Sequence, residues 1–216
     1  MGREKGFLEF DGVPLIAHTA RLIEPLVAEV TVVGPPRRYA ALGLNAIADQ
    51  GAAGRGSKRN RRGPLAGIGT ALAATCSTWN LIVACDMPYL SEAWLDWLLS
   101  RAIASRGQVV IPWTGRGLEP LAAVYRRECG GPIASALAQG VRKVTDAIEG
   151  LRMDVVDRRE WRGLDPSGLV LKNMNRPGDY VEARKWWSAE TKREGHPTGK
   201  APAALKRRRR SAALQK

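Results

Sequence analysis

Short apolar runs recur along this chain at two different periods, and their alternation predicts an α/β fold. Leu15, Ile16, Leu22, Ile23, Leu26 and Val27 return at helical spacing after a turn at Asp11-Gly12. Pro14, which needs no backbone N–H partner, is expected at the first helical position. Val30 to Val33 (VTVV) is a β-branched run ended by Gly34-Pro35-Pro36. A short helix near 38–42 then leads to the strand-like NAIAD, which closes on Asp49. GPLAGIGTALAAT, entered through Gly63-Pro64, has a helical pattern. Leu81–Asp86 (LIVACD) is apolar almost without interruption, as in a strand buried on both faces. Ser91 with Glu92 opens the helix SEAWLDWLLSRA. QVVIPW and PLAAVYR read as strands, PIASALAQG and RKVTDAIEG as helices. MDVVD and LVLKN read as late strands before a final helix at about 179–187.

Strands separated by helices at this spacing predict a mostly parallel sheet covered by helices, a Rossmann-like three-layer α/β/α sandwich. Its site belongs at the C-terminal ends of the strands. Two acids stand at such ends: Asp49 after Ala46-Ile47-Ala48, and Asp86 after Val83-Ala84-Cys85. A carboxylate there can hold Mg2+ against the phosphates of a nucleotide, or accept hydrogen bonds from a base. Asp is also common in turns, and Asp86 begins the turn Asp-Met-Pro-Tyr. Position alone leaves both readings open.

Composition narrows the class. A chain of 216 residues, 44% of them hydrophobic, can bury a full core, so one domain over 1–187 and an extension over 188–216 are expected. No apolar run reaches the ~18 residues of a membrane-spanning helix, and no basic-then-apolar leader opens the chain. A cytoplasmic protein without membrane contact is the expectation. Cys76, Cys85 and Cys129 lie far apart and lack metal-ligand spacing, which argues against a disulfide frame and a zinc site. Of the two histidines, His18 falls in a helix-like stretch as a core or boundary residue, and His196 lies in the extension.

The net charge of +13 first suggests a nucleic-acid binder, but its location changes that view. Residues 51–62 hold five basic residues and no acid, and residues 192–216 hold nine against Glu194 alone. These two stretches account for the whole net charge, so the rest of the chain is formally neutral. The extension, with its KRRRR run and few large apolar residues, has the composition of disorder. It reads as a solvated appendage first, and as a contact for RNA, anionic lipid or an acidic protein second. The basic 51–62 stretch reads as a loop able to attract a polyphosphate.

Six stretches then stand in one order: MGREKG (Met1–Gly6), GVPLI (Gly12–Ile16), GPLAGI (Gly63–Ile68), CDMPYLS (Cys85–Ser91), EPLAAVY (Glu119–Tyr125) and NMNRPGDY (Asn173–Tyr180). Together they resemble the molybdenum cofactor guanylyltransferases, within the nucleotidyltransferases of the sugar-nucleotide type. The resemblance covers about residues 1–187. It implies an Mg2+-dependent transferase that takes GTP and molybdenum-molybdopterin as substrates and serves a molybdoenzyme or cofactor-handling partner.

The resemblance also implies roles. The family's LAGGxSxRMGxDK loop wraps the nucleotide phosphates; Met1, Gly2 and Lys5 match its end, with Glu4 in place of Asp. Gly2 and Lys5 are then GTP-binding, and Lys5 stabilises charge developing on the α-phosphate and the leaving pyrophosphate. Asp86 matches the Mg2+ carboxylate, which also meets GTP. Asp49 matches the acid that reads guanine, whose N1–H and exocyclic amine are both donors. Asn173 and Asn175 match the family's Asn-x-Asn-Thr-Pro motif, which helps bind the pterin, with Arg176 replacing Thr. Their structural alternative is to cap the final helix. EPLAAVY alternates as a strand should and is read as largely structural.

In this family a strand and the glycine-rich turn precede the stretch matched by Met1–Gly6. A start roughly 15–20 residues upstream is the expectation, since a strand and loop of that type need about this length. A degraded copy without activity is the alternative. Other substrates are the remaining alternatives: a molybdopterin cytidylyltransferase, a transferase for another phosphorylated metabolite, or a non-catalytic binder docked by its basic extension.

Overall fold

The computed structural model describes residues 5–49 and 63–193. Gly2, the basic 51–62 stretch, His196 and the basic run of the extension lie outside the described residues.

A 3₁₀ turn at Lys5–Phe7 leads into a hairpin of β1 (Glu9–Phe10) and β2 (Val13–Pro14). Its two-residue turn puts Asp11 at φ 49° and Gly12 at φ 76°. Both central residues thus adopt the left-handed conformation that a tight hairpin requires, which is why Asp-Gly serves there. Pro14 ends β2 and caps α1 (Leu15–Ile23) from outside rather than occupying its first turn. Its extended ψ of 138° belongs to the hairpin, so the pairing with Glu9 decides its place. β3 (Val32–Val33), α2 (Pro36–Ala40) and β4 (Ala46–Ile47) form a small parallel βαβ unit.

The larger part comprises α3 (Gly63–Ala74), β5 (Trp79–Val83), α4 (Glu92–Ala104), β6 (Val109–Trp113), β7 (Ala122–Arg126), α5 (Gly130–Ala138), α6 (Val144–Ile148), β8 (Met153–Asp157), α7 (Arg158–Trp161) and α8 (Pro177–Arg193). Ser91 caps α4 as expected, its hydroxyl accepting from the Trp94 N–H at 3.3 Å. A capping box at Asp157 and Glu160 turns β8 directly into α7.

Strand order in the main sheet is β5-β7-β6-β8. β6 and β8 pair parallel, while β7 pairs antiparallel with both of its neighbours. Three strands therefore share one direction and β7 is reversed, giving a mixed sheet inside the expected three layers. On one face α4, α7 and α1 pack Trp94, Leu95, Leu98 and Trp161 against Val110, Ala122, Val124 and Val156. On the other, α3, α5 and α6 pack Leu65, Ile68, Ile133 and Ile148 against Val109, Ile111, Ala123 and Tyr125. Each fully buried large side chain contributes about 2 kcal/mol. Among the described residues β5 pairs with β7 alone, and the β3/β4 sheet is not hydrogen-bonded to it.

A third cluster joins distant parts of the chain: Phe10, Leu15, Tyr89, Met174, Ala183 and Trp187. Trp187 Nε1 donates to the Pro88 carbonyl at 2.7 Å, and the Tyr180 hydroxyl donates to the Glu9 carbonyl at 2.7 Å. α8 therefore clamps the hairpin onto the loop after β5. His18 is part of this core, as expected, with Nε2 2.8 Å from the Phe10 carbonyl and its ring edge-on to Trp187.

One predicted strand is absent. LVLKN (Leu169–Asn173) lies in turns, because Asp165 Oδ1 takes the Leu169 N–H at 3.0 Å and the Leu169 carbonyl takes the Lys172 N–H at 2.7 Å. Local partners satisfy the backbone before a sheet neighbour can.

Candidate active site

The reversal of β7 shapes the site. Because β5 and β6 end where β7 begins, residues 84–87, 113–121 and the start of β7 all gather at one edge of the sheet. The Ala84 N–H donates to the Leu121 carbonyl at 2.8 Å, which continues the β5–β7 ladder past Val83. Asp86 follows three residues beyond the strand, at the end where an α/β fold presents its ligands.

Lys5 arrives there from the 3₁₀ turn ahead of the hairpin. Its ammonium donates to Asp86 Oδ2 at 2.8 Å and to Asn175 Oδ1 at 2.9 Å. The structure thus brings three of the expected residues to one point. Gly6 explains how closely the segment can approach: a Cβ built on it would lie 3.2 Å from Cys85 Sγ. A side chain there would force Cys85 or the lysine segment to give by a few tenths of an ångström.

The 173–175 segment passes alongside. The Met174 N–H donates to the Asp86 carbonyl at 2.9 Å, fixing Asn173 and Asn175 on either side of that contact. Capping of α8 falls to Asp179 and not to these amides: Asp179 Oδ2 accepts from the backbone N–H groups of Asn175 and Arg176, each at 2.7 Å. Those two hydrogen bonds lower the Asp179 pKa. Asn175 is thereby left to face Lys5. Asn173 Oδ1 is fully buried and has no hydrogen-bond partner among the described residues.

Asp49 is held from a different element. It sits just past β4, and its Oδ1 accepts from Thr70 Oγ1 of α3 at 3.4 Å. The acid is thus tied to the helix entered through Gly63-Pro64, whose first residue has φ 68°.

Glu119 is the residue that sequence reasoning missed. It heads the EPLAAVY stretch, and burial followed by the nearby Asp86 charge raises its pKa. Its backbone is fixed on three sides: its N–H donates to the Pro112 carbonyl at 2.9 Å, its carbonyl accepts from Ala122, and the buried Tyr125 hydroxyl holds the Pro120 carbonyl at 2.8 Å. Tyr125 and the strand are structural as expected, but they aim an acid at the Asp86 corner. The available signal was an acid placed just ahead of the apolar run PLAAVY.

A divalent cation can be tested against these donors. Asp86 Oδ2 and Asn175 Oδ1 already converge on a single positive head at 2.8 and 2.9 Å. One carboxylate and one amide oxygen are hard donors of the kind Mg2+ takes alongside substrate phosphates and water. The residues fit the ion. Among the described residues no cluster of three or more His, Cys, Asp or Glu forms, so any metal here shares its ligands with substrate. No helix among them is long and apolar enough to cross a membrane.

The chain is similar to several known proteins. A family model described as MobA-like NTP transferase domain matches residues 1–153. A probable molybdenum cofactor guanylyltransferase of Pelotomaculum thermopropionicum is 32% identical over 197 residues, covering 90% of each chain. A molybdenum cofactor guanylyltransferase of Pseudomonas aeruginosa is 33% identical over 181 residues, which is 82% of this chain and 83% of that one. Among solved structures, a molybdopterin-guanine dinucleotide biosynthesis protein A from Archaeoglobus fulgidus shares the fold. Its TM-score is 0.72 at 24% identity, over 87% of this chain and 92% of that one.

Proposed function

The chain belongs to the MobA-like NTP transferase family, and on that premise we propose that it transfers GMP from GTP to the terminal phosphate of molybdenum-molybdopterin. The convergence of Lys5, Asp86 and Asn175 at the C-terminal edge of the sheet is the observation that carries this reading. An oxygen of the acceptor's phosphate bonds to the α-phosphorus of GTP, in line with the bond to the β-phosphate. That second bond breaks, and pyrophosphate leaves with the electron pair. The acceptor phosphate is already ionised, so no side chain has to remove a proton to make it a nucleophile.

The protein's share is positioning and charge. Lys5 neutralises phosphate oxygens and the charge that grows on the leaving group. Mg2+, when bound, supplies further neutralisation of the phosphates, and Asp86 Oδ2 with Asn175 Oδ1 would hold it. Asp49, fixed by Thr70, accepts the N1–H and amine protons of guanine. Asn173 and Asn175 are assigned to the pterin acceptor by the family motif, beside the Asp86 corner where its phosphate would lie. The near-absence of histidine suits a reaction that needs no general base. Gly2 is assigned to the phosphates by the family motif. A molybdoenzyme or cofactor-handling protein would receive the product.

Pyrophosphate release measured with the full chain, Mg2+ and molybdopterin tests the reading. GTP should be turned over at least tenfold faster than CTP. Equal rates with the two nucleotides, or release that does not depend on the acceptor, would remove guanylyl transfer from consideration.

A further inference from the structure

The hairpin between β6 and β7 carries an aromatic surface that the reaction described above does not use. Trp113 ends β6 and is 40% exposed, although its neighbours Val109, Val110 and Ile111 are fully buried. Alternate residues of a strand share a face, so Trp113 lies on the side of Ile111. Val155 of β8 stands opposite Ile111 in the parallel register and is 46% exposed, which extends the apolar surface. Among the described residues the indole makes no ring contact and its N–H finds no acceptor.

The segment holding this tryptophan is rigid. Trp113 bridges Leu118 antiparallel, and the Thr114 N–H and hydroxyl both donate to the Gly117 carbonyl at 3.0 Å. Gly115, at φ 83°, closes the tip. Arg116 stands on that tip, exposed and without an ion pair among the described residues. A fixed, half-exposed indole with an unneutralised guanidinium three residues on, in the same hairpin, suits a planar ring that carries negative charge.

Its place relative to Asp86 sets the size of such a ligand. β5 and β6 leave the sheet at the same edge with β7 between them, two strand spacings or about 10 Å apart. A ligand with its phosphate at the Asp86 corner and a fused ring about 10 Å away would reach Trp113. We propose that the Trp113–Leu118 hairpin is the acceptor subsite, with the Trp113 indole as the stacking surface for a fused heteroaromatic ring and Arg116 as the countercharge to the anionic groups of that acceptor. The proposal rests on the transfer reading given above and adds where the acceptor's ring lies.

Steady-state kinetics and a binding titration on the full chain decide it. Trp113→Ala should raise the acceptor KM about tenfold, the usual cost of removing one aromatic stacking partner. Trp113→Phe should restore most of that loss, Arg116→Ala should raise the same KM several-fold, and the KM for GTP should stay within twofold throughout. An unchanged acceptor KM in Trp113→Ala, or an equal rise in the KM for GTP, overturns the subsite. Should the wild-type chain release no pyrophosphate, the transfer reading fails and the titration decides the subsite. A phosphorylated pterin should quench tryptophan fluorescence saturably in the wild type, with at least tenfold weaker binding in Trp113→Ala. Equal affinity in both overturns the proposal whatever the catalytic result.

Discussion

Lys5 Nζ lies 2.8 Å from Asp86 Oδ2, joining residues 81 positions apart at the mouth of a strand neither belongs to. Both side chains keep 20–30% of their surface in contact with solvent. An ion pair so exposed contributes about 1 kcal/mol or less to stability. In the proposed transfer reaction the lysine serves the substrate's phosphates rather than stability. Lys5→Ala should leave the thermal midpoint within a few degrees of wild type while lowering the rate of pyrophosphate release by roughly 100-fold or more. A large loss of stability in that variant would show instead that the lysine is a structural tie.

Asn175 offers a prediction about metal affinity that does not depend on turnover. Removing its amide oxygen in Asn175→Ala should weaken Mn2+ binding about tenfold in an isothermal titration, since one of two protein oxygens is gone. Asp179, which holds the neighbouring backbone, should keep α8 in place, so the circular dichroism of the variant should match wild type.

The raised pKa of Glu119 predicts a pH effect on stability. Burial and the Asp86 charge favour the protonated acid in the folded state. The folded protein then holds this proton more tightly than the unfolded chain, so stability falls as pH climbs from the ordinary glutamate value through the raised one. Glu119→Gln cannot ionise and escapes that fall. Its urea midpoint should equal wild type near pH 4 and exceed it at pH 7; a variant less stable at pH 7 would mean that the carboxylate is paired.

Arg101 and Asp154 give the opposite sign. Arg101 Nε and Nη2 each donate to Asp154 at 3.0 Å, and these hydrogen bonds lower the carboxyl's pKa. Stability from this pair is present above the ordinary aspartate value and disappears as pH falls through the lowered one. The guanidinium is 41% exposed, so Arg101→Met should cost only about 1 kcal/mol at pH 7. In denaturant titrations the gap to wild type should close below pH 3.

Much of this arrangement was legible because local chemistry dictated it. Asp11-Gly12 required left-handed backbone, Ser91 offered a cap, and the apolar run before Asp86 had to be a buried strand. Direction was not legible. PLAAVYR alternates identically whichever way it runs, so nothing within it announces that β7 is reversed, and that reversal brings Glu119 to the site. LVLKN shows the converse, a strand-like pattern captured by the Asp165 side chain a few residues upstream. The motif order indicated which residues belong together, but the meeting of Lys5 with Asn175, 170 positions away, depends on how α8 lands.

That landing governs the order in which the molecule can be finished. Phe10 and the hairpin behind Lys5 are covered by Trp187 and Ala183, near the other end of the domain. The four-stranded sheet is complete by Asp157, so a nascent chain can assemble it while α8 is still being made. The lysine's segment has to wait, because the helix that covers its hairpin is the last of the described elements to be synthesised. Backbone structure should therefore appear first in a refolding experiment, and nucleotide binding should follow as a separate, slower event.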